Sequence, residues 1–226
     1  MSVIHALFDV NCTFFPILDY PMSYIEFFGT ILYLVSVWLI AQKKMLTWPV
    51  GIISVVLYAV LFYQIRLYSD TIEQIYYLGS SVYGWIFWKK NNSTGGKATP
   101  FRYSNKKLII LWITITTTIT AILTLFMANI HNIFPYLFPE PASFPFLDAL
   151  TTVMSFIAMF LMAQKRIESW IYWIIVDVIG IILYFIKDVK FISLLYVMLL
   201  IIAIRGFVKW HKESVVDKIP AACSPL

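Results

Sequence analysis

Seven runs of predominantly apolar residues dominate the chain: Tyr24–Ala41, Trp48–Ile65, Ile72–Trp88, Leu108–Ala128, Phe146–Ala163, Trp170–Ile186 and Phe191–Val208. Each is 17 to 21 residues long, which suits a helix crossing a hydrocarbon layer that needs about 20 residues at 1.5 Å per residue. Only 13% of the residues are charged while 61% are hydrophobic, against roughly 25% charged in an ordinary soluble domain. With no water in the hydrocarbon to satisfy backbone groups, the alternative is a closed barrel, whose strands alternate every second residue. No run alternates that way, so all seven are expected to be helices.

The basic residues set the expected orientation. Loops on alternate sides hold 14 Lys and Arg on one side and 3 (Arg66, Lys187, Lys190) on the other. Positive loops stay in the cytoplasm, which places the amino terminus outside and the carboxyl terminus inside, as an odd number of spans requires. The net charge of +5 is therefore read as a topology signal, and no nucleic-acid partner is expected. The first twenty residues carry no Lys or Arg and are broken by Pro16, unlike a cleaved signal peptide; they are expected to remain as an extramembrane or interfacial segment. Cys12 and Cys223 stand near opposite ends and suggest neither a disulfide framework nor a metal site.

Sliding the chain over itself by 122 residues aligns AQKKMLTW (Ala41–Trp48) with AQKRIESW (Ala163–Trp170), and 12 of 50 positions are identical between 41–90 and 163–212, among them Gly84 with Gly206 and Trp88 with Trp210. Upstream, Glu26 falls on Asp148. Two three-helix units separated by one extra helix enter the membrane in the same direction, as parallel repeats do in SWEET sugar carriers. The expected fold is an all-α integral membrane protein with seven transmembrane helices, two parallel three-helix repeats joined by a linker helix. Its parts are an extracytoplasmic segment (1–22), a first repeat (23–90), a basic cytoplasmic loop (91–107), the linker helix (108–128), an extracytoplasmic loop (129–145), a second repeat (146–212) and a cytoplasmic tail (213–226). The linker's TITTTIT tract reads as helix packing, because a threonine hydroxyl can bond the carbonyl one turn earlier.

Polar groups within the apolar runs are the candidate site. A carboxylate at the bilayer centre costs about 2.5 to 3.5 kcal/mol on insertion scales and is expected to face the bundle interior. Asp177 is the main one. Trp170, Trp173, Asp177 and Tyr184 recur at i, i+3, i+7 and i+14, on one helix stripe. Such a stripe can stack a flat ring, attract a cation and hydrogen-bond hydroxyls. The third run carries a second stripe of Glu73 or Gln74, Tyr77, Ser81 and Gly84, with Asp70 at its start. Gln74 offers donors and an acceptor suited to vicinal hydroxyls, with interhelical packing as the plainer role for it; Glu73 and Asp70 lie at the outer mouth, where solvated rim charges are common.

No phosphate-cradling glycine loop, HExxH, nucleophile elbow or CxxC occurs, and Gly95–Lys97 lacks P-loop spacing. His5, His131 and His211 are scattered. Neither an enzyme nor a cofactor or metal protein is expected.

The tracts WIYW and DVIGIILYF, the sister tract WPVGIISVVLYAVLFYQ, the third run IEQIYYLGSSVYGWIFW and its counterpart ending RGFVKW together resemble the PnuC family of bacterial nicotinamide riboside transporters, over nearly the whole chain from Ile25 to Trp210. The resemblance implies a three-plus-one-plus-three helix arrangement and facilitated diffusion of an unphosphorylated nucleoside vitamin across the bacterial inner membrane. It further implies trapping by a cytoplasmic nicotinamide riboside kinase, a homotrimer in lipid, and substrate contact by the WxxW tract, Trp170 and Trp173. Similar members carry thiamine or riboflavin, and a sugar on the same scaffold or proton coupling through Asp177 stays open.

Overall fold

The computed structural model describes residues 8–17, 20–66, 68–93, 100–134, 136, 143–186 and 190–216. His5, Lys97, Lys187, Lys218 and Cys223, and parts of the amino-terminal segment, both long loops and the tail, lie outside the described residues. Seven helices follow a short hairpin: β1 (Thr13–Ile17), β2 (Tyr20–Ser23), α1 (Tyr24–Ala41), α2 (Thr47–Gln64), α3 (Tyr68–Ser93), α4 (Lys106–Ile133), α5 (Pro145–Ala163), α6 (Ser169–Ile186) and α7 (Lys190–Val216). Six are long and apolar enough to cross a membrane. α3 is not among them, because Asp70, Glu73, Gln74, Lys89 and Lys90 dilute its apolar run; the same polarity lets it continue as helix beyond Ile72 and Trp88.

The hairpin was not legible as structure in a segment too short for periodicity. Its strands pair antiparallel from Thr13 opposite Ser23 to Ile17 opposite Tyr20. It is held by Phe14 against Tyr24 and Phe27, with ring centroids 4.5 and 5.3 Å apart. Ser23 then caps α1, accepting from the Glu26 amide at 3.4 Å and so satisfying one of the helix's orphan donors. Gln64 at the end of α2 ties down the preceding chain, donating to the Phe8 carbonyl at 2.6 Å and accepting from the Val10 amide at 3.0 Å.

Helix contacts run α1 to α2, α2 to α3, α3 to α5, α5 to α6, α6 to α7 and α7 back to α1. These six form a closed ring, and α4 packs on α5. α5 is thereby gripped on three sides, which is why its buried positions run around the helix, from Ala149 and Val153 to Met162. In α4, Thr114, Thr116 and Thr117 donate to the carbonyls four residues earlier at 2.7 to 2.9 Å, so its threonines serve the helix itself.

At the end carrying most of the basic residues, α1 and α5 stop in the same way. Lys43 (φ 61°) and Lys165 (φ 59°) take the left-handed conformation. The following amides, of Lys44 and Arg166, bond back to Leu39 and Leu161 at 2.9 Å, the six-to-one bond of a Schellman stop. Each turn delivers a buried indole: Trp48 meets Trp88 at 5.4 Å and 82°, and Trp170 meets Trp210 at 5.3 Å and 86°, both edge-to-face. Each indole also lies on a glycine of the next helix. A Cβ on Gly206 stands 2.6 Å from the Trp170 ring, and one on Gly84 collides with Trp48. Overpacking of this kind costs about 1–3 kcal/mol, so Gly206→Ala and Gly84→Ala are each expected to lower the melting temperature in detergent by several degrees, at about 2–4 °C per kcal/mol, as read by a thermal shift assay.

Candidate functional site

α6 turns one face inward and the other outward. Trp170, Val176, Asp177, Gly180 and Leu183 are buried, while Ile171, Ile175, Val178, Ile182 and Phe185 are exposed, as a 3.6-residue period requires of a helix in the wall of a ring. Asp177 is 3% exposed, and no hydrogen bond to its carboxylate is found among the described residues. Tyrosines surround it instead. Tyr196 of α7 lies over Gly180, 2.6 Å from where a Cβ would stand, and stacks on Tyr184 at 5.5 Å and 18°. Tyr33 of α1 and Tyr196 are both within electrostatic reach of Asp177.

The third helix adds its own inward face. Tyr77 lies close to Tyr33 and Tyr196, with its hydroxyl against Ser155 of α5, and its ring meets Phe156 edge-on at 6.0 Å. One turn away, Glu73 accepts from the Thr152 hydroxyl at 3.1 Å, and Ser81 is buried one turn further along. Neighbouring Tyr76 closes the α3–α5 contact, donating to the Phe156 carbonyl at 2.7 Å. On the α1–α2 side, Tyr33 meets Tyr58 edge-on at 6.4 Å, and the Tyr58 hydroxyl pairs with Thr30 at 2.7 Å. Side chains from α1, α3, α5, α6 and α7 thus place a buried carboxylate among helices that carry inward phenols, and Arg205, the one cation within the apolar runs of those helices, is exposed. Among the described residues no cluster suited to a metal ion is present. The arrangement can hold a flat ring between phenols, balance one positive charge and bond hydroxyls.

Five of the expected residues, Asp177, Tyr184, Glu73, Tyr77 and Ser81, lie on these inward faces. Trp173 is partly buried, packed against the aromatic cluster below them. Two are placed differently. Trp170 has no exposed surface at all; its ring is taken up by Trp210 and Gly206, so it builds the closed end of the bundle. Gln74 lines an apolar groove of about 350 Å³ between α2 and α3 with Val56, Ala59, Val60, Ile75 and Leu78. The helix explains this: Glu73, Tyr77 and Ser81 step by four along one face, whereas Gln74 is turned 100° away and shares its side with Thr71 and Leu78. Sequence reasoning missed Tyr33, Tyr196, Thr152 and Ser155. A signal for two of them was available, since the 122-residue offset puts Thr30 on Thr152 and Tyr33 on Ser155.

A ring of helices around a buried acid, with six helices among the described residues long and apolar enough to cross a membrane, defines a polytopic membrane protein. The profile of a family described as "Nicotinamide mononucleotide transporter" matches residues 23–212, and the chain belongs to that family of transporters. It is 29% identical over 213 residues to the nicotinamide riboside transporter PnuC of Escherichia coli (strain K12), covering 86% of this chain and 88% of that one. It is 25% identical over 215 residues to the riboflavin/roseoflavin transporter RibM of Streptomyces davaonensis, covering 93% and 95%. A crystal structure of the vitamin B3 transporter PnuC shares the fold, with a TM-score of 0.65 and 22% identity over 85% of this chain and 83% of that one.

Packing and site roles separate by measurement. Trp170→Ala opens a large cavity, worth about 3–5 kcal/mol, and is expected to lower the detergent melting temperature by about 6–20 °C. Asp177→Asn, which removes no volume, should leave melting within a few degrees. A similar loss in both variants would place Asp177 in the structural framework instead.

Proposed function

We propose that the protein carries nicotinamide riboside into the bacterial cell across the inner membrane by facilitated diffusion, with a cytoplasmic nicotinamide riboside kinase trapping the product. The observation that carries this reading is Asp177, buried without a hydrogen-bond partner among the described residues and within electrostatic reach of Tyr33 and Tyr196. Nicotinamide riboside is a flat aromatic cation with a neutral ribose. Phenol faces stack its pyridinium, Asp177 balances the charge, and Tyr77, Ser155 and Glu73 meet the hydroxyls. Trp173 forms the wall nearest the aromatic cluster. The names of the relatives support the riboside.

The mononucleotide named in the family's description fits less well. Its phosphate would enter an interior with the carboxylates of Asp177 and Glu73 and no Lys or Arg on the described inward faces, Arg205 of α7 being exposed, and an unpaired buried charge is strongly unfavourable. Riboflavin is the second reading, supported by the RibM relative; as a neutral ring system it leaves Asp177 without a counter-charge. The same scaffold admits thiamine or a sugar as further outcomes of the binding test below.

The architecture behind this reading is two parallel repeats, 23–90 and 146–212, with α4 as the linker that turns the chain so that both enter the membrane alike. The matched stops at Lys43 and Lys165 and the matched indole–glycine seats support it. The amino terminus lies outside and the basic end faces the cytoplasm, and three such chains assemble in lipid.

Calorimetry on purified protein should show nicotinamide riboside binding at least ten-fold, about 1.4 kcal/mol, more tightly than its mononucleotide, riboflavin or thiamine, with Asp177→Asn losing most of that margin. Equal binding of riboside and mononucleotide would overturn the site. Uptake into liposomes should be indifferent to an imposed pH gradient; stimulation by an inward proton gradient would make Asp177 a proton relay.

A further inference from the structure

The basic end of the bundle is closed by more than its helices. The segment 100–105, which leads into α4, lies back across this end, and four successive residues in it have separate anchors. Phe101 sits on the indoles of both halves, 5.6 Å from Trp88 and 4.2 Å from Trp210. The backbone of Arg102 pairs with the turn after α5, its amide donating to the Lys165 carbonyl at 3.3 Å and its carbonyl accepting from the Ile167 amide at 3.2 Å. The Tyr103 hydroxyl pairs with Nδ1 of His211 at 3.0 Å. The Ser104 amide donates to both oxygens of the buried Glu168 carboxylate at 3.1 and 3.2 Å.

The position of Phe101 is the informative one. Lys43 and Lys165, which match at the 122-residue offset, both reach the same phenylalanine, their ammonium groups 5.1 and 5.5 Å from its ring centre. A single ring therefore stands between equivalent points of the two halves. Neither half supplies that ring; it comes from a connecting segment present once in the chain. Beneath that ring the helix-borne indoles of Trp88 and Trp210 meet at 6.2 Å, and the strap over them is fixed by a handful of non-covalent anchors.

We propose that the strap 100–105 is the plug of the transport pathway at the basic end, with Phe101 the residue that must leave the Trp88–Trp210 cluster before substrate passes. The inference rests on the carrier reading above. Tyr103, Ser104 and the Arg102 backbone set how readily the strap lifts, and the ring itself makes the seal. Glu168 is a positioning residue: it touches no substrate and acts by holding the strap's Ser104 amide.

The test is access to the interior from that end. In full-length protein with Cys12→Ser and Cys223→Ser, a Ser155→Cys reporter in oriented liposomes is exposed at the basic end to a charged, membrane-impermeant maleimide. Phe101→Ala, which removes the seal, and Glu168→Gln, which loosens an anchor without touching the aromatic cluster, should each speed labelling about five-fold or more as the open population rises, and added nicotinamide riboside should slow it. Should Phe101→Ala fail to fold by gel filtration, Glu168→Gln carries the test. Unchanged labelling in the folded variants would overturn the plug. Riboside calorimetry on the unsubstituted protein reads the carrier site separately, so the two ideas fail independently.

Discussion

Two indoles seated on two glycines hold this bundle shut at one end, and the rest of the structure is arranged around that contact. In lipid there is little hydrophobic force to press one helix on another, so close packing and small residues do the joining. Trp48 on Gly84 and Trp170 on Gly206 let large flat rings enter where any side chain on the facing helix would exclude them. Trp88 and Trp210 then meet across the middle at 6.2 Å. The Trp88 indole donates to the Ala163 carbonyl at 3.0 Å, bonding the end of α3 to the end of α5. α7 grips the other turn, through Lys209 to Gln42 and Glu213 to Lys43. With this end fixed, the inward faces of the helices toward the other end carry the polar side chains Asp177, Glu73 and Ser81.

That interior explains where polarity is tolerated. Asp177, Glu73 and the tyrosines stand on faces that helix periodicity turns away from lipid, whereas the outward faces of α6 and α4 are aliphatic. The differences among the acids matter as well. Glu73 spends its carboxylate on Thr152 and so joins the two halves, while Asp177 has phenols near it and no bond from them. At the basic end the logic reverses. Burial pulls the Lys165 ammonium below the ordinary lysine range, and its charge is met by the faces of Trp88 and Phe101, a cation–π arrangement that strengthens as water is excluded. The described polar groups thus differ by end, with carboxylates on the inward faces and a lysine met by aromatic rings at the basic end.

The helices were legible because lipid enforces long apolar runs, and all seven fall where those runs lie, with ends shifted mainly where polar residues continue the helix. Asp177 was legible because a carboxylate in such a run has few other uses. Trp170 was misleading because stripe arithmetic gives the face and not the depth: it shares a face with Asp177 but sits two turns nearer the closed end, where Gly206 receives it. Gln74 misled for the converse reason, being at the right depth on the wrong face. Tyr33 and Tyr196 stayed hidden because a tyrosine in a spanning helix is ordinary, and only the ring of helix contacts brings them to Asp177. The strap was invisible, since its anchors are backbone amides and one phenylalanine in a loop.

Comparison of the halves at the 122-residue offset sharpens what the interior is for. At the basic end the matched positions are the same residues in the same geometry, Trp with Trp, Gly with Gly and Lys with Lys. In the interior they differ: Asp177 falls on Val55, Gly180 on Tyr58, Trp173 on Gly51 and Tyr196 on Gln74. Each large group in one half meets a small or different one in the other. In α2, Tyr58 lies 3.6 Å from where a Cβ on Gly29 would stand and bonds Thr30, whereas in α6 the space over Gly180 is filled from α7 by Tyr196. Sequence drift would degrade both ends alike. Identity at the frame combined with divergence in the interior leaves the two matched segments alike where they pack and different where their polar groups lie.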